Sequence, residues 1–421
     1  MKLYLIEAER DRNSLPTSDW FDKASGKFFC PSLSLPIIAS LCSQDINVKI
    51  IDEKVEEIDL ADLPDAVVIN YKTMSSKRAY ELALFFKEKK VKVLMGGLHA
   101  SLMPEEAKKY CDSVVIGEAE PIWPEVVKDL TSDQLKPFYR AARLTDLSTA
   151  AAPRIDLLKT DRYLFHSIQS SRGCSLNCDF CPTREMFGGI FRTKPIQKVL
   201  EEIRAAISIE KKPIFFTDDI FGAGDGKFTL ELLANLRKLN IEFSIISDFL
   251  VLNRKMVAEL ARSGCWYICL NLPGTCSKKE AGAIKMIQAL GIDVWGYFMF
   301  GFRFHEKDVF EKAFDFVRDT GMKHVSFTVM APYPNTNAGR KLESEGRILN
   351  RDWSLYDQAH VVFKPEKMTP EELDEGYRWI RDRIGHLSQF ASTERRSLWK
   401  KFTGKCLAAT LAMLPMKSKK S

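Results

Sequence analysis

The stretch Arg172-Gly-Cys174-Ser-Leu-Asn-Cys178-Asp-Phe-Cys181-Pro182 contains three cysteines in the pattern CxxxCxxC. Thiolates at this spacing on one compact loop can bind three irons of a [4Fe-4S] cube, and no nearby cysteine is left for the fourth iron. A structural zinc site normally needs four protein ligands, so zinc would require a further Cys or His from elsewhere. The stretch therefore predicts an iron-sulfur cluster with one open iron, with zinc or three unligated thiols as the alternatives.

The sequence that follows alternates between short apolar runs and amphipathic stretches. The apolar runs predict six strands, at residues 166–170, 214–217, 243–246, 267–272, 294–300 and 325–330. Strands that alternate with helices in this way are typical of parallel sheets. We therefore expect a partial (β/α)6 barrel over residues 163–337. Its cysteine loop would follow the first strand, at the carboxyl end where barrel enzymes place their chemistry.

The cysteine stretch resembles the CxxxCx(aromatic)C motif of radical S-adenosylmethionine (SAM) enzymes, with Phe180 as the aromatic residue. The similarity extends over most of residues 160–385. In this family the three cysteines ligate the cluster, and the open iron chelates the amino and carboxylate groups of the methionine part of SAM. The resemblance implies that Cys174, Cys178 and Cys181 are the ligands and that Phe180 lies beside the adenine.

Two further stretches of the barrel carry the same resemblance. Asp218 and Asp219 end the second predicted strand, and Gly301 ends the fifth. The resemblance implies that these residues belong to the SAM pocket, where adjacent carboxylates could accept hydrogen bonds from ribose or substrate hydroxyls. Because Asp is common in turns, a plain turn at the end of the strand remains the alternative for the acidic pair.

The amino-terminal third of the chain predicts a separate α/β domain. Apolar runs at 3–6, 48–51, 66–69, 91–95 and 114–116 are separated by amphipathic helices. Fully apolar strands with helical connections are the signature of a buried parallel sheet. We expect a doubly wound, Rossmann-like domain over residues 1–130, followed by a linker over 131–162 where the periodicity fails around Pro153.

Glycine turns after these strands resemble the cobalamin-binding domain that is fused to one branch of radical SAM enzymes. The stretches are Gly96-Gly97-Leu-His99 and Gly117-Glu118. Glycines after parallel strands let the backbone approach a large ligand. The cobalamin-binding candidates implied are Thr73, Gly96, Gly97, His99, Gly117 and Glu118. Ordinary loop geometry and a structural histidine are the alternatives. No Asp-x-His-x-x-Gly motif is present, so that motif's cobalt-ligating histidine has no candidate.

The chain departs from the family pattern at the end of the fourth barrel strand. Many relatives carry a Gly-x-Glu-Ser-like stretch there, whereas this chain has Leu270-Asn-Leu-Pro273-Gly, so Pro273 stands where a glutamate is expected. Proline offers neither a charge nor an N–H donor. This puts one wall of the SAM or substrate pocket in question. Cys265, Cys269 and Cys276 could hold a second cluster or be buried thiols, and the second interpretation is favoured.

Charge and composition restrict the classes of partner. The chain has 421 residues, ten cysteines and a net charge of +6, with eight basic and no acidic residues in 395–421. The rest of the chain is slightly acidic, so no nucleic-acid groove is expected. No apolar run reaches the roughly 20 residues of a membrane span, and reduced thiols fit a cytoplasmic protein. The basic amphipathic tail could lie on the inner membrane surface, pack on the protein itself or form a loosely ordered terminus.

These expectations combine into one function. The resemblance implies an enzyme with a [4Fe-4S] cluster, SAM and cobalamin, which methylates an unactivated carbon of a small-molecule or lipid substrate. A one-electron donor such as flavodoxin or ferredoxin would supply the electron. A cobalamin-binding radical cyclase or rearrangement enzyme is one alternative, and a non-catalytic cofactor-binding or electron-transfer protein is another. No catalytic acid or base is assigned, and residues 338–394 are expected to form a helical region before the tail.

Overall fold

The chain folds around two parallel β-sheets of six strands each. The structure is a computed structural model, and it describes residues 1–9 and 27–390. The predicted fold class is confirmed: a doubly wound α/β domain precedes a partial (β/α)6 barrel and a helical carboxyl-terminal region. The tail over residues 395–421, and with it the predicted membrane contact, lies outside the described residues.

The first sheet has the strand order β2-β1-β3-β4-β5-β6, and every pair is parallel. Its strands are β1 (Lys2–Glu7), β2 (Asn47–Asp52), β3 (Ala66–Asn70), β4 (Lys92–Gly96), β5 (Ser113–Ile116) and β6 (Phe138–Arg140). The helices of this part are α1 (Ser34–Ser40), α2 (Ser76–Glu88), α3 (Leu98–Leu102), α4 (Pro104–Ala107) and α5 (Trp123–Thr131).

Both faces of this sheet are covered, which explains why its strands are almost entirely apolar. Helix α2 packs Leu82 and Phe86 against one face. Helices α1 and α5 pack Leu35 and Trp123 against the other face. The carboxyl ends of the strands are left free to form a binding edge.

Strand β6 lies within the segment that the sequence predicts to be a linker. Its three residues pair in parallel with β5, so the first sheet extends to Arg140. A strand of three residues is too short to show a hydrophobic period, which is why sequence periodicity missed it.

The second sheet follows chain order, β7-β10-β11-β12-β13-β14, and all its neighbours are parallel. Its strands are β7 (His166–Ile168), β10 (Ile214–Phe216), β11 (Phe243–Ser247), β12 (Cys265–Leu272), β13 (Asp293–Phe300) and β14 (His324–Val329). Its helices are α7 (Ile196–Ile209), α8 (Gly226–Leu239), α9 (Arg254–Arg262), α10 (Lys278–Ala289) and α11 (Val309–Thr320).

Alternate residues of these strands form two cores. Side chains such as Phe216 and Ile268 pack outward against the helices. Phe215, Tyr267 and Trp295 pack inward on one another. The barrel therefore has a filled, aromatic interior, and any ligand must bind at its carboxyl-terminal mouth.

The cysteine loop is inserted between β7 and β10. A short antiparallel pair, β8 (Ser171–Arg172) and β9 (Arg192–Thr193), holds the two ends of this insertion together, and α6 (Pro182–Phe187) follows the last cysteine. The loop therefore leaves and re-enters the barrel at one point.

The carboxyl-terminal region contains α12 (Asn337–Ser344) and α13 (Pro370–Phe390). It also contacts the first sheet's domain, because the indole of Trp353 donates to the Glu106 carboxylate at 3.0 Å. Just before α12, the Asn335 amide donates to the Leu102 carbonyl of the same domain. Within the described residues, no helix has the length and apolar character needed to cross a membrane.

Candidate functional site

The cysteine loop begins with a close backbone approach that requires glycine. Gly173 has a φ of +88°, and a Cβ there would lie 2.0 Å from the carbonyl oxygen of Ile190, just before β9. A side chain at position 173 would force the two ends of the loop apart. The Gly between Arg172 and Cys174 is thus explained by the geometry of the loop.

The three thiols of the loop are free and partly exposed. The Leu176 amide donates to Cys174 Sγ at 3.4 Å, and the Cys181 amide donates to the Cys178 carbonyl at 3.2 Å. Burial and the neighbouring thiols raise the pKa of Cys178 to about 11. A bound cation would reverse this effect by stabilising thiolates. Among the described residues, no three His, Cys, Asp or Glu side chains converge on a single-ion site. The donor set itself, three clustered thiols on one loop, is the one an iron-sulfur cluster uses.

The two acidic residues after β10 hold this loop in place. The Asp218 carboxylate accepts from the Ser170 amide at 2.7 Å and from the hydroxyls of Ser170 and Ser171, and it is almost fully buried. Asp219 accepts from the Gly173 amide at 2.9 Å and from Thr183 Oγ1 at 3.2 Å. Both carboxylates are therefore engaged with the segments that enter and leave the cysteine loop.

Phe180 and Gly301 lie on neighbouring parts of the barrel mouth. The ring of Phe180 is 5.1 Å from that of Phe302, measured between centroids. Gly301 precedes Phe302, has a φ of +95°, and a Cβ there would lie 2.9 Å from the ring of Phe363. Phe180 therefore contacts the residue that follows Gly301, so the predicted aromatic residue and the predicted glycine lie close together.

A cavity of about 520 Å³ lies between the first sheet and the barrel. The first domain lines it with residues that include Gly96, Gly97, Gly117 and Glu118. The barrel lines it with residues that include Arg172, Pro182, Thr183 and Thr217. Its volume is in the range of clefts that bind cofactors. The cavity brings the carboxyl edge of the first sheet next to the cysteine loop.

The glycines at the strand ends of the first sheet differ in the space available for a side chain or a ligand. A Cβ on Gly97 would lie 2.4 Å from Asn70 Oδ1, so the fold itself requires this glycine. Gly117 has a φ of +79° and open space where its Cβ would lie, and it faces the cavity. The open surface at Gly117 can admit a ligand close to the backbone.

Thr73 and His99 are not among the residues that line this cavity, although the neighbouring Lys72 and Leu98 do line it. Both side chains are fully buried, and Nδ1 of His99 is 3.2 Å from Thr73 Oγ1. The His99 ring also packs against Trp353 of the carboxyl-terminal region, with ring centroids 5.2 Å apart. The structure therefore places these two predicted residues in an interdomain contact, consistent with the structural-histidine alternative.

Glu118 joins the two domains by a buried ionic network. Its carboxylate accepts from Arg172 at 3.1 Å, from both terminal nitrogens of Arg192 at 2.7 and 2.9 Å, and from the Thr145 amide at 2.5 Å. Burial alone would raise the pKa of Glu118, but the hydrogen bonds and the two guanidinium charges lower it to about 2. Arg172 also donates to Glu120 at 2.6 Å. Sequence analysis missed both arginines as partners, although Arg172 stands within the cysteine stretch.

Further charged groups that the sequence did not indicate lie in the same cavity. Glu7 and Asp52 end β1 and β2, and Lys54 and Lys72 follow β2 and β3. Burial raises the pKa of Glu7 to about 7, despite the opposing charge of Lys72 and the hydrogen bond from Asn70. Adjacent strand ends bring these residues together, a relationship that no sequence spacing reveals.

The remaining barrel cysteines do not share one site. A β-bulge near the start of β12 separates Cys265, which packs in the outer core, from Cys269, which packs in the barrel interior. Burial raises the pKa of both thiols. Because the two residues belong to different cores, they cannot ligate a common cluster, and the buried-thiol interpretation is supported.

Comparison with known proteins agrees with this site. Residues 168–337 match the sequence family described as the radical SAM superfamily. They form a radical SAM domain, and the protein is a radical SAM enzyme, so a [4Fe-4S] cluster and SAM are its cofactors.

Relatives and solved structures extend the similarity beyond this domain. The chain is 28% identical over 369 residues to bacteriochlorophyllide d C-12(1)-methyltransferase of Chlorobaculum tepidum, covering 82% of this chain and 80% of that protein. It is 27% identical to the C-8(2)-methyltransferase of the same organism, covering 80% and 82%. The structure of TsrM from Kitasatospora setae, solved with cobalamin and a [4Fe-4S] cluster bound, has a TM-score of 0.64 at 13% identity. That match covers 82% of this chain and 75% of TsrM, and it shows a shared fold.

Proposed function

We propose that this enzyme is a cobalamin-dependent methyltransferase that adds a methyl group to an unactivated carbon of a small molecule. The observation that carries the proposal is the cavity shared by the two domains. A cofactor bound at the carboxyl edge of the first sheet would face the cysteine loop directly. The relatives named as methyltransferases and the TsrM-like fold support the same conclusion.

The residues present fit both metal cofactors. Cys174, Cys178 and Cys181 would hold the cluster, and the cavity wall around Gly96 and Gly117 would hold cobalamin. When bound, the cluster supplies the electron that cleaves SAM, and cobalamin carries the methyl group. Among the described residues, no histidine lines the cavity.

The protein's own contribution is to position the cysteine loop and to exclude water from the barrel mouth. Asp218 and Asp219 fix the cysteine loop, and Glu118 fixes that loop against the first sheet. The filled aromatic interior around Trp295 closes the barrel beneath its mouth. A dry, preorganised mouth protects reactive intermediates from water.

The relatives support a proposal for the substrate class. Both named relatives act on bacteriochlorophyllide, and we propose a tetrapyrrole or a similarly large, mostly apolar substrate. A lipid substrate and contact with the inner membrane surface depend on residues 395–421, which lie outside the described structure. The electron would come from a one-electron donor such as flavodoxin or ferredoxin.

The test is an anaerobic assay with reconstituted cluster and cobalamin, reductant, SAM and a panel of tetrapyrrole and lipid candidates. A product heavier by one methylene, formed together with 5′-deoxyadenosine and lost in Cys178→Ala, is the expected result. 5′-Deoxyadenosine with a product of unchanged carbon count would instead establish a cyclase or rearrangement enzyme. An intact cluster that never cleaves SAM with any candidate would favour a non-catalytic binder.

A further inference from the structure

His305 is a buried residue in the turn between β13 and α11, and it bridges the ends of two barrel strands. Gly301 donates its amide to His305 Nδ1 at 3.2 Å, and His305 Nε2 lies 2.6 Å from the carbonyl oxygen of Pro273. The side chain is 1% exposed. Sequence analysis did not single out this residue.

The two hydrogen bonds determine the protonation state and the tautomer of the His305 imidazole. Nδ1 accepts from an amide and therefore carries a lone pair. The Pro273 carbonyl can only accept, so Nε2 must carry the proton. His305 is thus neutral, with its proton on Nε2, and burial lowers its pKa to about 4.

Both backbone groups lie beyond the paired part of the sheet. The pairing of β12 with β13 ends at Leu272 and Phe298, and the pairing of β13 with β14 ends at Phe300. Pro273 and Gly301 follow the ends of their strands. A buried amide or carbonyl without a partner is costly. The imidazole satisfies one group on each strand and so fixes the separation of the two strand ends.

The fit around the ring is close. Gly274 has a φ of +78°, and a Cβ there would lie 3.2 Å from Cε1 of His305. The ring of Phe302 meets the imidazole edge to face at 5.2 Å between centroids. Phe302 in turn contacts Phe180 of the cysteine motif at 5.1 Å. Two ring contacts therefore connect His305 to the residue that precedes Cys181.

We infer that His305 is a positioning residue for SAM: it holds the Pro273 and Gly301 strand ends and the Phe302–Phe180 wall in the geometry that receives the cofactor. This inference rests on the proposed SAM site. At position 273, where a glutamate side chain is expected, the wall is organised by the imidazole and two backbone groups.

The test measures SAM binding by the change that SAM produces in the electron paramagnetic resonance signal of the reduced cluster. Iron content and the thermal midpoint are measured on the same samples. The variants are His305→Leu, which loses both bonds, His305→Asn, which can keep the Gly301 bond, and His305→Gln, which can keep the Pro273 bond. The control is His166→Leu, because His166 is also buried and lies 2.7 Å from a backbone carbonyl, that of Glu210, at the opposite end of the barrel.

We expect His305→Leu to weaken SAM binding about tenfold or more, as the loss of a buried hydrogen bond would, at unchanged iron content. His305→Asn and His305→Gln should fall between it and the wild type. His166→Leu should lower the thermal midpoint and leave SAM affinity unchanged. If His305→Leu does not fold, the Asn and Gln variants decide the question.

Two negative outcomes differ in what they overturn. Wild-type SAM affinity in the three His305 variants would refute the positioning role and leave the proposed function standing. A wild-type protein whose intact cluster does not respond to SAM would refute the proposed function and this inference together.

Discussion

Glu118 Oε1 lies 3.1 Å from Nη1 of Arg172, and this buried ion pair connects the end of β5 to the residue two positions before Cys174. It joins the proposed cobalamin edge to the proposed cluster loop. Arg192, on the returning strand of the same loop, donates to the same carboxylate. Both ends of the cysteine insertion are therefore fastened to one acidic side chain of the first domain.

Replacing Glu118 should destabilise the whole interface. In Glu118→Gln, the buried guanidinium of Arg172 and the partly buried one of Arg192 lose their shared anion, and breaking a buried pair typically costs about 3–5 kcal/mol. We expect a large fall in the urea midpoint together with lower cobalamin retention. The measurement is urea unfolding followed by fluorescence.

Glu125→Gln is the matched control for this change. Glu125 pairs with Lys136 on the surface, where both side chains are largely exposed. Exposed pairs contribute about 0–1 kcal/mol. Equal effects of the two substitutions would show that the buried network does not hold the domains together.

The same carboxylate should make stability depend on pH. The pKa of Glu118 is lowered from 4.5 to about 2, so its contribution is complete above about pH 4.5 and is lost as the pH falls towards 2. The difference in stability between wild type and Glu118→Gln should therefore shrink between pH 5 and pH 3. A difference that stays constant over this range would contradict the assigned ion pair.

Cluster binding should depend on the loop thiols and on no other cysteine tested. Cys178→Ala should lose most of its iron after anaerobic reconstitution, because one corner of the cube would lack its ligand. Cys276→Ala, at another partly exposed cysteine, should retain wild-type iron and absorbance. Iron analysis checks both, and equal loading would argue against a cluster in this loop.

Asp218→Asn distinguishes a loop-fastening role from a ribose-binding role. The carboxylate accepts three hydrogen bonds around Ser170 and Ser171, and an amide has one oxygen fewer for them. We expect a lower thermal midpoint and weaker cluster retention. Weaker SAM binding at unchanged stability would instead favour a direct contact with SAM.

Asp225→Asn provides the reference for that experiment. Asp225 caps α8 through the Lys227 amide at 2.9 Å, and Asn caps helices about as well as Asp. The same chemical change should therefore have little effect at position 225.

Gly301→Ala should lower the thermal midpoint by more than its positive φ alone predicts. The new Cβ would meet the Phe363 ring at 2.9 Å, in addition to the strain of a positive φ. Gly321→Ala has a φ of +66° but open space around the Cβ, so it isolates the backbone strain of a left-handed residue, which costs roughly 1–2 kcal/mol. Thermal unfolding compares the two, and similar midpoints would show that the Phe363 contact relaxes without cost.

The sequence determined the class of fold and the cysteine chemistry by itself. Apolar runs that alternate with helices specify parallel sheets, because burial on both faces removes polar residues from a strand. The three cysteines lie within eight residues of one another, so their spacing alone indicates that they bind a common cluster. The sequence also marked Pro273 as a departure from the family pattern.

Tertiary structure decided which groups meet around that loop. Glu118 and Arg172 are 54 residues apart, Asp218 and Ser170 are 48 apart, and His305 and Pro273 are 32 apart. Such pairs form because the order of strands in a sheet places distant chain segments at one edge, and local spacing carries no record of that order. The sequence thus identified the cysteine loop, and the folded chain determined the carboxylates of Asp218, Asp219 and Glu118 that hold it.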